Sequence, residues 1–386
     1  MTVQTINVGA RVNDETAETV YSAFTKTNSN FSDLDTRVSS AESTVATLSA
    51  DMTELHGLFG TDVEAATFTT KQNDLAVAAG TRILRWNGAG TTGITGIAAP
   101  STARVVTIVN ASTDYLLWLE NQNTASSAGN RFALPDGFPA FLMPGDTITV
   151  WYDLTSAVWR VLDWPTRGQG MGLTELDDAL GKSSQRWYTR TGGTGATVDV
   201  AGSGVDSTHK SAGVFGLSTG TTTTGYAMAG GYATGVLPGL GSALFVSRSR
   251  VDANPSAAEN FTAFLGLADF NSTYANGIFW EKYWNGSSYT LARTVMVGGV
   301  KTRSESGYQT ASGTTKWLCV FVNPTWTRAD FIHSSNSVSF DVADVISSGL
   351  PTAAVQFQTG IVKSAGSTSR NLEVDLRGHR YVQVRA

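Results

Sequence analysis

Between Ala17 and Phe59, apolar residues recur at alternating spacings of three and four, and this rhythm constrains the chain more than any other feature. Ala17, Phe24, Phe31, Val38, Val45, Met52 and Phe59 fill one series; Val20, Thr27, Leu34, Ala41, Leu48 and Leu55 fill the other. Thr27 is the only polar member, and the positions between are mostly Ser, Thr, Asn, Asp and Glu. A stripe two positions wide in every seven suits a seam shared between helices rather than the broader face of a globular helix. The expectation is a coiled coil over residues 17–60, on the order of 65 Å long at about 1.5 Å per residue. Asn13 and Asp14 offer a capping start, with Glu15 and Glu18 near the positive end of the helix dipole. Arg37 and Glu42 fall at g and e′ positions, which pair between copies of a parallel bundle. Val45 with Leu48 favours two strands, whereas Phe24, Phe31 and Phe59 ask for a wider centre. The periodicity therefore leaves dimer and trimer open.

A length of 386 residues implies about two or three domains. Only 15% of residues are charged and the net charge is −5, so there is no basic surplus to neutralise a phosphate backbone. Nucleic acid is not an expected partner. The single cysteine, Cys319, excludes an intrachain disulfide and a cysteine zinc cage, and its flanks Leu318 and Val320 mark a buried strand. The first residues lack the charged and apolar regions of a signal peptide, and no apolar run is long enough for a bilayer.

Thr5-Ile6-Asn7-Val8-Gly9, then Asn13-Asp14, then Ala23-Phe24-Thr25-Lys26-Thr27-Asn28-Ser29-Asn30-Phe31 resembles the opening of many tailed-bacteriophage fibre and virion structural proteins. The resemblance covers about thirty residues. Thr16-Ala17-Glu18 departs from it, standing where that family commonly has a Gly-Asp turn. Such proteins are commonly trimers docked on the particle by their N-terminus. The resemblance thus implies a homotrimer, with residues 1–16 as a virion-docking segment contacting other virion proteins.

After a connector over 61–79, the pattern becomes period-two from Gly80. Strands are expected at Arg82–Trp86, Arg104–Asn110, Tyr115–Glu120, Thr147–Tyr152 and Val158–Leu162, forming a small β domain over 80–163. Gly93-Ile94-Thr95-Gly96-Ile97, Pro100, Asn130-Arg131-Phe132, Pro144-Gly145 and Trp159-Arg160-Val161 resemble a recurrent phage fibre module, which implies a β-sandwich spacer. Trp118, Trp151 and Trp159 read as core residues. Residues 164–196 read as a linker, with a short helix at Leu173–Leu180. A larger domain over 197–386 follows, with strands at Leu244–Val251, Phe261–Leu267, Gly277–Trp284, Tyr289–Val297, Lys316–Val322, Phe331–His333, Ala354–Ile361 and Asn371–Val384. Asn285-Gly286 between aromatic runs signals a hairpin. Val251-Asp252-Ala253, Glu259–Leu267, Asn276-Gly277-Ile278 and Val362–Gly366 resemble the concanavalin/laminin-G-like sandwich, so a jelly-roll-like β-sandwich is expected. The fold class is mixed and mainly β.

Catalytic constellations are sparse. Glu373-Val374-Asp375 places two carboxylates on one strand face, as in some retaining glycosidases, but Arg377 stands where a third carboxylate belongs, and a solvated last strand is the simpler reading. His56, His209, His333 and His379 share no ligand spacing, and no nucleophile elbow or phosphate loop appears. Asp269, Asn271 and Asn276 have oxygen ligands for calcium but fit turn formation better. No cofactor, metal or enzymatic activity is expected. Binding remains: Trp280, Tyr283, Trp284 and Tyr289 crowd one hairpin and suit a sugar ring or apolar receptor surface, if they do not simply fill the sandwich. The loops Gly220–Gly225 and Asn271–Asn276 are equal candidates.

The expected function is a trimeric phage fibre, made in the host cytoplasm and displayed on the virion, whose C-terminal sandwich contacts a host surface glycan or protein. A purely structural head or neck fibre is the alternative. A polysaccharide depolymerase is the third reading, and the chain shows no internal repeat of the kind those enzymes carry. The seam residues expected at the trimer interface are Val20, Phe24, Phe31, Leu34, Val38, Val45, Leu48, Met52, Leu55 and Phe59.

Overall fold

The computed structural model describes residues 4–7, 15, 19–59, 62–163, 172–177, 187–201, 214–231, 236–269, 275–305, 316–334 and 338–383. It divides into two compact units, Met1–Gly60 and Thr61–Ala386.

The first unit is built on one helix, α1 (Val20–Phe59). Thr19 starts it, its Oγ1 accepting the Ser22 N–H at 3.2 Å, so one of the orphan amides of the first turn is satisfied. The cap is therefore Thr19 and not Asn13 or Asp14, which lie outside the described residues, and the first turn carries no acidic residue. Thr25, Thr27, Thr36, Thr44, Thr47 and Thr53 each donate a hydroxyl to the carbonyl four residues back, at 2.9–3.0 Å. Such bonds slightly weaken a helix. Residues 4–7 run alongside it: Asn30 accepts the Gln4 N–H and donates to the Gln4 carbonyl, both at 2.9 Å, and Lys26 donates to the Thr5 carbonyl at 3.1 Å. The seam residues Val20, Phe24, Phe31, Leu34, Val38, Val45, Leu48, Met52 and Leu55 are between 46% and 72% exposed. The Phe59 side chain lies outside the described residues.

Among its described residues the second unit is mainly β, with two short 3-10 turns at Ala128–Asn130 and Pro135–Gly137. Its small domain has β1 (Asp62–Ala66), β2 (Thr81–Trp86), β3 (Thr92–Ile94), β4 (Val105–Asn110), β5 (Leu117–Leu119), β6 (Phe132–Ala133), β7 (Ala140–Leu142), β8 (Thr147–Asp153) and β9 (Val158–Asp163). These form a six-stranded sheet, β1-β2-β4-β8-β9-β6, and a three-stranded one, β3-β5-β7. Leu84, Trp86, Ile108, Phe132, Val150 and Trp159 lie in their shared core. The domain begins at Asp62 and not at Gly80. Residues 61–79 are part of it, because β1 pairs in parallel with β2, Glu64 accepts from Ala78 N–H and Thr81 Oγ1, and Trp86 Nε1 donates to the Phe68 carbonyl. A connector that makes these bonds is structure, since its buried polar groups must find partners.

The remainder is a β-sandwich. Its strands are β10 (Gly172–Asp177), β11 (Trp187–Gly192), β12 (Thr197–Ala201), β13 (Val214–Ser218), β14 (Tyr226–Gly231), β15 (Gly241–Val251), β16 (Phe261–Ala268), β17 (Gly277–Trp284), β18 (Tyr289–Val297), β19 (Val300–Glu305), β20 (Lys316–Val322), β21 (Ala329–Ser334), β22 (Phe340–Ile346), β23 (Gln356–Lys363) and β24 (Asn371–Gln383). One sheet runs β12-β13-β24-β15-β20-β21-β22, with β10 also on β24; the other runs β11-β14-β23-β16-β17-β18-β19. Phe245, Val320 and Phe331 of the first sheet meet Leu265, Trp280 and Phe357 of the second in one apolar core.

Two expectations fail here for the same reason. The stretch expected to hold a helix at Leu173–Leu180 instead contains β10, which pairs antiparallel with Arg377–Val382 of β24. β24 is also an interior strand, not a solvated last one: β15 flanks it on one side, β13 and β10 on the other, and Leu372 and Val374 are buried. β13 pairs only with Asn371–Val374, so the second half of β24 would keep an open row of backbone groups without β10. That demand outweighs a weak helical pattern.

The small domain is packed on the sandwich. Leu116, Trp118 and Met143 share a buried cluster with Leu244, Val246, Trp317, Phe321 and Phe340, on the outer face of the first sheet. Polar bonds frame this cluster. Fully buried Glu120 accepts Trp118 Nε1 and the Phe340 N–H at 2.9 Å and pairs with Lys71 at 3.1 Å. Thr91 donates to Asp330, and Arg380 pairs with Asp146.

Candidate ligand-binding face

With one sheet's outer face covered, the outer face of the other sheet, β11 to β19, is where side chains of several strands converge. Strand register places Met228, Gly360, Phe264, Glu281, Ala292 and Glu305 in one row across the strands, and Gly230, Gln358, Gly266, Phe279, Thr294 and Arg303 in the next. Glycines let the aromatic rings lie down. A Cβ at Gly360 would collide with the Phe264 ring, and one at Gly277 would sit 2.7 Å from Phe279 Cε1. Phe264 and Phe279 then meet edge to face at 5.7 Å, in a buried cluster with Met228, Ala268 and Met296 drawn entirely from this sheet.

Beside the rings lies a charged group of residues. Glu281 is fully buried and accepts from Lys301 at 2.6 Å, from Arg303 Nε at 2.6 Å and from Thr294 Oγ1 at 2.9 Å. Burial alone would raise its carboxyl pKa, but the bond from Arg303 and the charge of Lys301 prevail and hold it below the usual value. Arg303 also stacks on Tyr283, 4.1 Å from the ring centre, and Tyr283 donates its hydroxyl to Glu305 at 3.0 Å. Burial and that bond push the Tyr283 pKa up to about 12. Lys301 and Arg303 are partly exposed, so this side of the face reaches solvent.

The four expected receptor contacts separate. Trp280 is 0% exposed, points into the sandwich and donates Nε1 to the Cys319 carbonyl at 2.9 Å, with its ring 5.5 Å from Phe331. It cannot touch a receptor. Tyr283 is 9% exposed and belongs to the charged group. Trp284 and Tyr289 are partly exposed and directly opposite one another at the hairpin end. Lys282 lies 5.7 Å from the Tyr289 ring centre, and burial lowers its pKa to about 8.

Of the remaining candidates, Glu373 and Asp269 are engaged by local partners. Glu373 is held by Arg250 Nε at 2.5 Å, and the side chain of Asp375 lies outside the described residues. Asp269 accepts the backbone N–H groups of Ala275 and Asn276 at 2.9–3.1 Å, which closes its loop as a turn; Asn271 lies outside the described residues. His333 is buried 6.2 Å from Trp280, and burial lowers its pKa. His209 and the side chains of His56 and His379 lie outside the described residues. Among the described residues no group of three His, Cys, Asp or Glu is placed to hold a metal. Cys319 is buried, which raises its thiol pKa. Sequence reasoning missed the row containing Gln358. Its only trace was the recurrence of glycine inside strands that also carry aromatics.

No protein-family model matches the chain, and no curated protein matches it. Among solved structures, a protein of unknown function from Shewanella oneidensis is similar at 12% identity and a TM-score of 0.44, over 56% of this chain and 89% of that one. Lectin II from Ulex europaeus is similar at 14% identity and a TM-score of 0.40, over 55% and 99%. Peanut lectin is similar at 12% identity and a TM-score of 0.39, over 56% and 99%. Likenesses at this level carry no argument about what the chain binds.

Proposed function

We propose that this chain is the subunit of a homotrimeric bacteriophage fibre whose N-terminal segment docks on the virion and whose C-terminal sandwich contacts a glycan on the host surface. One observation carries the reading: nine seam residues of α1 lie exposed on a lone chain. Burying each would contribute about 2 kcal/mol, and a helix rich in Ser and Thr has little other source of stability. A second and third copy of the same seam supply that burial. The number three, and the virion, rest on the resemblance of residues 5–31 to phage fibre openings. The fibre is non-enzymatic in this reading, and Glu373 pairs with Arg250 at 2.5 Å.

Sedimentation equilibrium at several concentrations tests it. Three copies are expected; a folded monomer with α1 intact would refute the proposal. A second reading, a purely structural head or neck fibre, is favoured by the burial of Trp280 and Tyr283, which removes two of four expected receptor contacts. Fluorescently labelled protein that stains bacteria susceptible to the phage supports host contact, and absence of staining puts the structural fibre ahead. Release of reducing sugar from their surface polysaccharide would instead show a depolymerase.

A further inference from the structure

The outer face of the six-stranded sheet in the small domain is apolar where a solvated sheet face would be polar. β4 reads Val105-Val106-Thr107-Ile108-Val109, with Val106 and Ile108 in the domain core. The alternate residues Val105, Thr107 and Val109 point the other way and are partly exposed. A strand apolar in both of its alternating sets has the pattern of a sheet buried on both faces. Neighbouring strands repeat it. Register sets Val63, Ile83, Thr107 and Thr149 in one row, and Val105 beside Trp151 and Arg160 in the next. Trp151, expected in the core, thus stands on the outer face, partly exposed between buried Val150 and Tyr152. Val63 is 59% exposed, and Leu162, opposite the register shift between β8 and β9, is 62% exposed. The sandwich meets the small domain elsewhere, through Leu116, Trp118 and Met143. Among the described residues no buried cluster includes Val63, Ile83, Val105, Val109, Trp151 or Leu162.

Area, chain order and charge together say what covers it. Five strands about 4.8 Å apart, with about five residues on each at about 3.4 Å, offer about 300 Å². A partner held by this face alone would need nearer to about 800 Å², so whatever docks here is also held elsewhere. A second copy of the chain meets that condition through α1. Only Gly60 and Thr61 separate Phe59, the end of α1, from Asp62, the start of β1. Three peptide steps reach at most about 11 Å, and β1 is the edge strand of this same sheet. Copies that share the α1 seam are therefore tethered to one another at this edge. Charge agrees. Arg85 and Arg160 lie in the flanking rows, and Arg160 pairs with Asp153 at 2.8 Å. The row from Val63 to Thr149 carries no charge, so identical faces meet there without like-charge repulsion.

We propose that this face is an interface between copies of the chain, where Val63, Ile83, Val105, Val109, Trp151 and Leu162 of one small domain pack on the same face of its neighbours. This interface deepens the homotrimer reading given above and rests on it for the tether. A threefold axis lets one half of each face meet the other half of the next, so a single patch closes the ring. The three faces then enclose an apolar core of their own, separate from the α1 seam.

Hydroxyl-radical footprinting of the full-length chain reads side-chain cover directly. Wild type is compared with Leu34→Asp/Leu48→Asp, which breaks the α1 seam and leaves this face intact. Trp151 and Leu162 are expected to oxidise about fivefold more slowly in wild type, as side chains in a packed interface core do. Val300, 71% exposed on the sandwich, is the control and should oxidise alike in both. A further variant, Val63→Lys with Leu162→Lys, changes only residues that are exposed in the lone chain. It should lower the urea concentration that separates the copies, whereas Val297→Lys with Val300→Lys should not. A wild type that sediments as a trimer yet oxidises Trp151 and Leu162 as fast as the seam variant overturns the proposal and leaves the fibre reading intact. Equal protection in both, with the seam variant a monomer, assigns the face to a segment of its own chain and overturns it too. Protection kept by a seam variant that still assembles would sink the α1 reading alone.

Discussion

Helix α1 exposes Phe24, Phe31 and Leu48, whereas the sandwich closes over Phe245, Trp280 and Phe331. Both stretches are amphipathic, with opposite consequences. In the sandwich two sheets within one chain supply each other's apolar face. The seam of α1 has no such counterpart among the described residues of its own unit.

The largest test of this contrast is the double variant Leu34→Asp with Leu48→Asp. If three copies share the seam, six leucines leave it at about 2 kcal/mol each, so assembly should weaken by on the order of 10 kcal/mol and monomers should sediment. The melting of the β unit should be unchanged. A smaller change is expected from Trp280→Ala, which empties the sandwich core at a cost of about 3–5 kcal/mol in urea unfolding while oligomer size stays as it is. A drop in both would erase the distinction.

The smallest effect is pH-dependent and lies wholly in the β unit. Lys282 has its pKa lowered from 10.5 to about 8 by burial, so between those values the unfolded chain binds more protons. Stability should therefore rise as pH goes from about 8 towards 10.5, by at most about 3 kcal/mol. Tyr283, raised from 10.0 to about 12 by burial and its bond to Glu305, acts in the reverse sense above pH 10, where the folded chain keeps the extra proton. Urea midpoints between pH 7 and 10 should climb in wild type and stay flatter in Lys282→Met. Oligomer size over that range should not respond.

Much of the strand content was readable along the chain. Phe261–Ala268, Gly277–Trp284 and Tyr289–Val297 fall where alternation and the Asn285-Gly286 turn put them. The weaker strands were not. β10 reads as a helix because its pattern is short, and it becomes a strand only because β24 offers an open edge. The aromatic hairpin shows the same limit. Alternation puts Trp280 and Trp284 on one face, but Trp280 sits mid-strand over the Cys319 carbonyl while Trp284 sits at the end of the hairpin. Position along the strand decides burial, and period two does not encode it. Gln358 gave no local signal at all; its isolation comes from glycines on two other strands.

The sequence by itself determined the long helix, its unmatched apolar seam and most of the strands, because periodicity and turn chemistry act over a few residues. Only the tertiary structure decided that the small domain covers one sheet, that β24 is interior, and that an amide stands unpaired on the other face. These depend on which strands become neighbours. Residues as far apart as Gly230, Gly266 and Gln358 meet only when the sheet closes.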